Sequence, residues 1–121
     1  MGRKILAWTA LALAAGSPIA AQQRLAGSPA GNPKAGAHAF QENGCYACHG
    51  TVGHGGAWQG PKLAPGPIPY EAFIAQLREP ARAMPRYSRA VLSDADAANI
   101  YAYLSAIPPG KTAAQIRILQ R

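Results

Sequence analysis

This chain has few acidic residues, few aromatics, two cysteines and no long hydrophobic run. Only 5 of its 121 residues are Asp or Glu, against 12 Lys and Arg. That imbalance suits an acidic partner or surface. It does not point to nucleic acid, because no helix-turn-helix pattern, zinc-finger spacing or dense Lys/Arg stripe with aromatics accompanies it. Aromatics make up 7%, whereas Gly (13) and Pro (11) abound. A core built from side chains alone would therefore be modest. No apolar stretch is long enough for a comfortable transmembrane helix. Strand-like β-branched runs and internal repeats are missing as well.

The start of the chain reads as a targeting segment. Arg3 and Lys4 form a positive region, Ile5 to Ala15 an apolar one, and Ile19-Ala20-Ala21 a small-residue cleavage site before Gln22. Residues 1–21 are thus expected to be a signal peptide, which directs export to the periplasm. Retained, the same segment would be an anchor and bring the chain to a membrane. Residues 22–31, rich in Gly, Ala and Ser, read as a flexible arm. A single domain is expected over 32–108. A basic tail follows over 109–121, and its Lys111 to Arg121 segment holds Ile116, Ile118 and Leu119.

Three helices are legible. Asn32 as N-cap and Pro33 at the first helical position open one that runs to Asn43, where Gly44 ends it. Gly36 and Phe40 lie one turn apart on its face, a small residue beside a large apolar one. Tyr70, Phe73, Ile74 and Leu77 mark a second helix over 70–79, stopped by Pro80. Ser93 caps a third, with Asp94 and Asp96 at the positive end of its dipole. Its apolar face is Ala97, Ile100, Tyr101 and Leu104, and Pro108-Pro109-Gly110 ends it. Residues 51–60 hold too many glycines for a helix, and 81–87 are too broken by prolines to be regular.

The chemistry sits in Cys45-Tyr46-Ala47-Cys48-His49. Two cysteines three apart with a histidine directly after are the attachment sequence of a c-type haem. Each thiol adds across one porphyrin vinyl group, and His49 stands beneath the iron as proximal ligand. Other uses of the pair fit less well. A zinc site would have to recruit His38 and His54, neither at a recognised spacing. A thioredoxin-like dithiol needs a strand–helix context that is missing here. A disulfide across two intervening residues constrains almost nothing.

Together these residues resemble the class I c-type cytochromes, from about Pro33 to Ile107. In that family a first helix carrying a glycine and an aromatic crosses the last helix; Gly36 and Phe40 match one partner, Tyr101 and Leu104 the other. The attachment motif follows the first helix directly. Gly60-Pro61-Lys62-Leu63 is similar to the family's Gly-Pro-x-Leu segment, which implies a bond from His49 to the Pro61 carbonyl. The Met84-Pro85 pair implies Met84 as sixth ligand; the only other methionine is Met1, in the leader. The implied fold is all-α, a cytochrome c fold of three to four helices wrapped around one covalently attached haem c. The Gly-rich segment after His49 and the basic tail are not diagnostic.

The expected function is single-electron transport between redox partners by a His/Met-ligated iron. Arg78, Arg82, Arg86 and Arg89 bracket Met84, and are read either as a docking ring for an acidic oxidase or dehydrogenase or as an ordinary solvated basic surface. One rival is a haem c subunit held in a periplasmic dehydrogenase complex. Another is a haem enzyme or gas sensor with an open iron position, or with His54 as ligand, although nothing resembles a distal catalytic pair.

Overall fold

The computed structural model describes residues 28–56 and 60–120. The expected signal peptide, most of the expected arm and Trp58 lie outside the described residues. Among these described residues four α-helices follow in chain order: α1 Pro33–Glu42, α2 Cys45–His49, α3 Tyr70–Arg78 and α4 Asp94–Ala106. There is no strand among the described residues, so the fold is all-α. No helix among them is long and apolar enough to cross a membrane.

Local chemistry sets the helix ends. The Asn32 side chain accepts from the backbone N–H groups of Lys34 and Ala35, at 2.9 and 3.1 Å, and Pro33 follows where no amide hydrogen is needed. Gly44, in the left-handed conformation (φ 70°), turns the chain straight from α1 into α2. Ser93 Oγ accepts from Asp96 N–H at 3.0 Å to open α4. Pro69 precedes α3 without a side-chain cap, and Arg78 stands in its last turn.

The main helix–helix packing is between α1 and α4, and Gly36 permits it. A Cβ added at Gly36 would lie 1.9 Å from the Asn99 carbonyl oxygen, so α4's backbone rests directly on α1. Around that contact Phe40, Ala97, Ile100, Tyr101 and Leu104 are buried, joined from α3 by Phe73 and Leu77 and from the loops by Ala64 and Leu92. Tyr101 is the hub, with Tyr70 edge-on at 5.1 Å and Phe73 tilted at 5.4 Å between ring centroids. The α4 face read from the sequence is the buried one.

Three segments differ from, or go beyond, the sequence expectation. Gly31, placed in the arm, is docked: a Cβ there would meet the Ala98 carbonyl oxygen at 2.3 Å, and the next residue's N–H donates to Asn99 Oδ1 at 2.8 Å. The attachment motif is itself helical, which five residues are too few to announce by periodicity. The tail forms two 3-10 turns, Ala113–Gln115 and Arg117–Gln120, with Ile118 and Leu119 exposed.

Candidate haem site

Helix α2 puts the three motif side chains on one short turn-and-a-half of backbone, directly beneath the end of α1. Cys45 is half-buried and packs against the core, Cys48 is exposed, and both thiols are free. His49 is buried at 7% exposure. Its Nδ1 lies 2.8 Å from the Pro61 carbonyl oxygen. A carbonyl only accepts, so Nδ1 carries the hydrogen and Nε2 keeps its lone pair. Nε2 makes no hydrogen bond among the described residues. That is the state a metal-ligating imidazole requires, with its far nitrogen anchored and its ring orientation fixed.

The loop that delivers Pro61 is wound tightly around α2. Gly55 N–H donates to the His49 carbonyl at 2.8 Å, and the Gly53 carbonyl accepts from both Leu63 and Ala64 at 2.8 Å. Gly60 is the closest point. A Cβ there would stand 2.8 Å from both His49 Nδ1 and the Cys48 carbonyl oxygen. Any side chain at 60 would push the ring off Pro61, which explains the glycine before the proline.

Met84 lies half-buried in the irregular loop between α3 and α4, packed against the same core as Cys45. The end of α3 braces this loop. Gln76 Nε2 donates to Met84 Sδ at 3.6 Å, the Leu77 carbonyl accepts from Tyr87 N–H at 2.9 Å, and Arg78 Nη1 donates to the Tyr87 carbonyl at 2.8 Å. The Tyr87 hydroxyl reaches the Asn43 carbonyl at 2.9 Å. Burial raises that hydroxyl's pKa, with the nearby Cys45 and Cys48 adding to it, so it stays a donor.

Arg78 does not belong to a docking ring. Its side chain is 12% exposed. It donates to the Tyr87 and Leu92 carbonyls at 2.8 and 2.9 Å and to Asp94 Oδ1 at 2.6 Å, and its Nε is buried inside the fold, so the guanidinium is turned inward and not towards a partner. The sequence showed a cation at a helix end; only the tertiary fold shows that the loop and α4 close over it. Arg89 also pairs with Asp94, at 2.9 Å, but is 70% exposed. Arg82 and Arg86 are exposed, Arg82 with φ 64°.

Cys45 is a poor candidate for a redox-catalytic thiol. A reactive cysteine has a depressed pKa. Burial instead pushes Cys45 up to about 11. Nor do three His, Cys, Asp or Glu side chains gather as they would around a metal ion among the described residues. His38 turns instead to Glu42, 3.1 Å away on the exposed side of α1, and His54 is exposed in its loop.

A covalently bound haem fits these residues. Two unpaired thiols flank a helix turn, a buried imidazole is anchored at one nitrogen, and apolar side chains nearby remain half covered: Leu63, Tyr70, Ile74 and Met84. A large apolar macrocycle would complete a core that the chain alone leaves open. Gln76, Tyr87 and Gly60 were not singled out for these roles by sequence, since each acts through a contact distant along the chain.

No curated protein and no solved structure matches the chain. A family model does: the one described as cytochrome c oxidase, cbb3-type, subunit III, which matches residues 31–104. That stretch contains α1 through the end of the buried face of α4, with the attachment motif inside it. The chain therefore belongs to the cbb3-type subunit III family of cytochrome c domains, and is an electron-transfer cytochrome with haem c attached through Cys45 and Cys48.

Proposed function

We propose that this protein is an exported mono-haem carrier whose iron is held by His49 and Met84 and passes single electrons between periplasmic redox partners. The observation that carries the reading is the pairing of an anchored, buried His49 with a sulfur, Met84, held by its own donor in a braced loop. When bound, the haem supplies an iron that cycles between ferric and ferrous forms, and a thioether ligand favours the ferrous one. The chain's part is to hold ligands still. Pro61 fixes the imidazole plane, while Leu77, Arg78 and Asn43 fix Tyr87 three residues beyond the sulfur. Ligands that do not move between redox states keep the reorganisation accompanying transfer small. Leader residues 1–21 support periplasmic placement.

The exposed Arg82 and Arg86, next to Met84, would steer an acidic partner towards this side. The family's description, a subunit of a cytochrome c oxidase, supports a terminal oxidase as that partner and makes permanent membership of an oxidase complex the second reading. A dehydrogenase complex would use the same surface. The test is an absorption spectrum of the haem-loaded protein, oxidised, reduced and then exposed to carbon monoxide. A far-red band when oxidised and no carbon monoxide shift when reduced supports a closed His49/Met84 carrier. A high-spin spectrum that shifts readily with carbon monoxide overturns it in favour of an enzyme or sensor. Purification from native membranes separates a free carrier from a bound subunit.

A further inference from the structure

We propose that Gln76 is a positioning residue for the Met84 thioether and that its side-chain amide raises the reduction potential by drawing electron density from the sulfur. This rests on Met84 being an axial ligand.

Gln76 stands on α3 beside Leu77, half-buried at the edge of the helix's apolar face. Its amide is held at both ends. Oε1 faces the backbone N–H of Ala81 at 3.5 Å, and Nε2 faces Met84 Sδ at 3.6 Å. These two neighbours fix which way the amide points, because the Ala81 N–H only donates and so requires the oxygen. The nitrogen is left for the sulfur, at a distance that suits sulfur's larger radius. No other donor to Met84 Sδ is present among the described residues.

A thioether sulfur has two lone pairs. A hydrogen bond on one selects the other for a metal, and lowers the sulfur's donor strength. Ferric iron, the more electron-demanding state, loses more by this than ferrous iron, so the potential rises. The loop does not depend on Gln76 for its place. Leu77 and Arg78 hold Tyr87 independently, and Tyr87 is tied to Asn43. Replacing Gln76 therefore removes the donor while leaving the brace.

The test compares haem-loaded wild type with Gln76→Met and Gln76→Leu, neither of which has a donor. Midpoint potential, position of the far-red band and thermal midpoint are read on each. The expected result is a lower potential, equivalent to roughly a two- to threefold change in the ferric/ferrous equilibrium constant. A displaced far-red band and a thermal midpoint close to wild type should accompany it. The sign is informative, because a more apolar side chain beside the iron would by itself raise the potential. An unchanged or higher potential with an unmoved band overturns the inference, as does a loss of thermal stability alone, which is merely structural. The underlying ligation is read separately: a wild type with no far-red band removes Met84 as ligand and the inference with it. A wild type with the band and variants that match it removes only the role of Gln76.

Discussion

The Tyr87 hydroxyl donates to the Asn43 carbonyl at 2.9 Å, across 44 positions of sequence. It joins the loop that carries Met84 to the residue two before Cys45. The loop that carries Met84 and the end of α1 that leads into the attachment motif are therefore linked by the protein itself. Asn43 is itself held, its Nδ2 donating to the Ala39 carbonyl at 2.8 Å. Replacing Tyr87 by Phe removes one hydroxyl from a half-buried site and leaves an acceptor at the end of α1 unpaired. The expected cost is about 1 kcal/mol in denaturant unfolding of the haem-loaded protein. A weakened far-red band is also expected, since the loop loses one of its ties.

Gly36 should tolerate no side chain. Alanine would gain up to about 1 kcal/mol of helix propensity. Its Cβ would overlap the Asn99 carbonyl oxygen at 1.9 Å, which forces α1 and α4 apart. Overpacking of a close backbone contact outweighs the propensity, and Gly36→Ala should destabilise by about 1–3 kcal/mol. A melting temperature equal to wild type would mean that the helices do not approach this closely.

Arg78 and Arg86 should behave differently when changed. Arg78→Ala leaves the Tyr87 and Leu92 carbonyls without their donor and Asp94 with one partner fewer. It should cost about 2–3 kcal/mol of stability. Arg86→Glu, at an exposed position, should leave stability within about 0.5 kcal/mol. It should instead slow electron transfer to an acidic partner and flatten its salt dependence. Matching salt profiles for Arg86→Glu and wild type would remove this side as the docking surface.

Asp94 gives the fold an acid-sensitive contact. Hydrogen bonds from Arg89, then from Arg78, hold its carboxyl below the ordinary value of an aspartate. A carboxyl depressed in the folded state contributes stability that is present above its unfolded pKa and is lost as pH falls through the folded one. The melting-temperature difference between wild type and Asp94→Asn should thus be full at neutral pH and shrink in acid below that value. A difference that is constant with pH would show that the carboxylate's charge plays no part.

Much of this was readable in the sequence, and the unread parts share one physical cause. The ends of α1 and α4 are written in local chemistry: Asn32-Pro33, Gly44, Ser93 and Pro108. Their apolar spacing gives the buried faces. The haem motif is local too, since thiol and imidazole spacing is a property of five residues. By contrast, α2 is too short to have a period. Arg78 looks like any surface cation until Tyr87, Leu92 and Asp94 are folded around it. Gln76 and Tyr87 gain their roles from contacts with Met84 and Asn43 that no local pattern specifies.

The most direct test of the closed, sulfur-ligated iron is carbon monoxide binding to the reduced haem-loaded protein, wild type against Met84→Ala. With Met84 on the iron, wild type should not bind the gas at concentrations that saturate the variant, and only the variant's spectrum should shift. Equal, ready binding by both would show that Met84 leaves the iron open, and would contradict electron carriage through a His49/Met84 site.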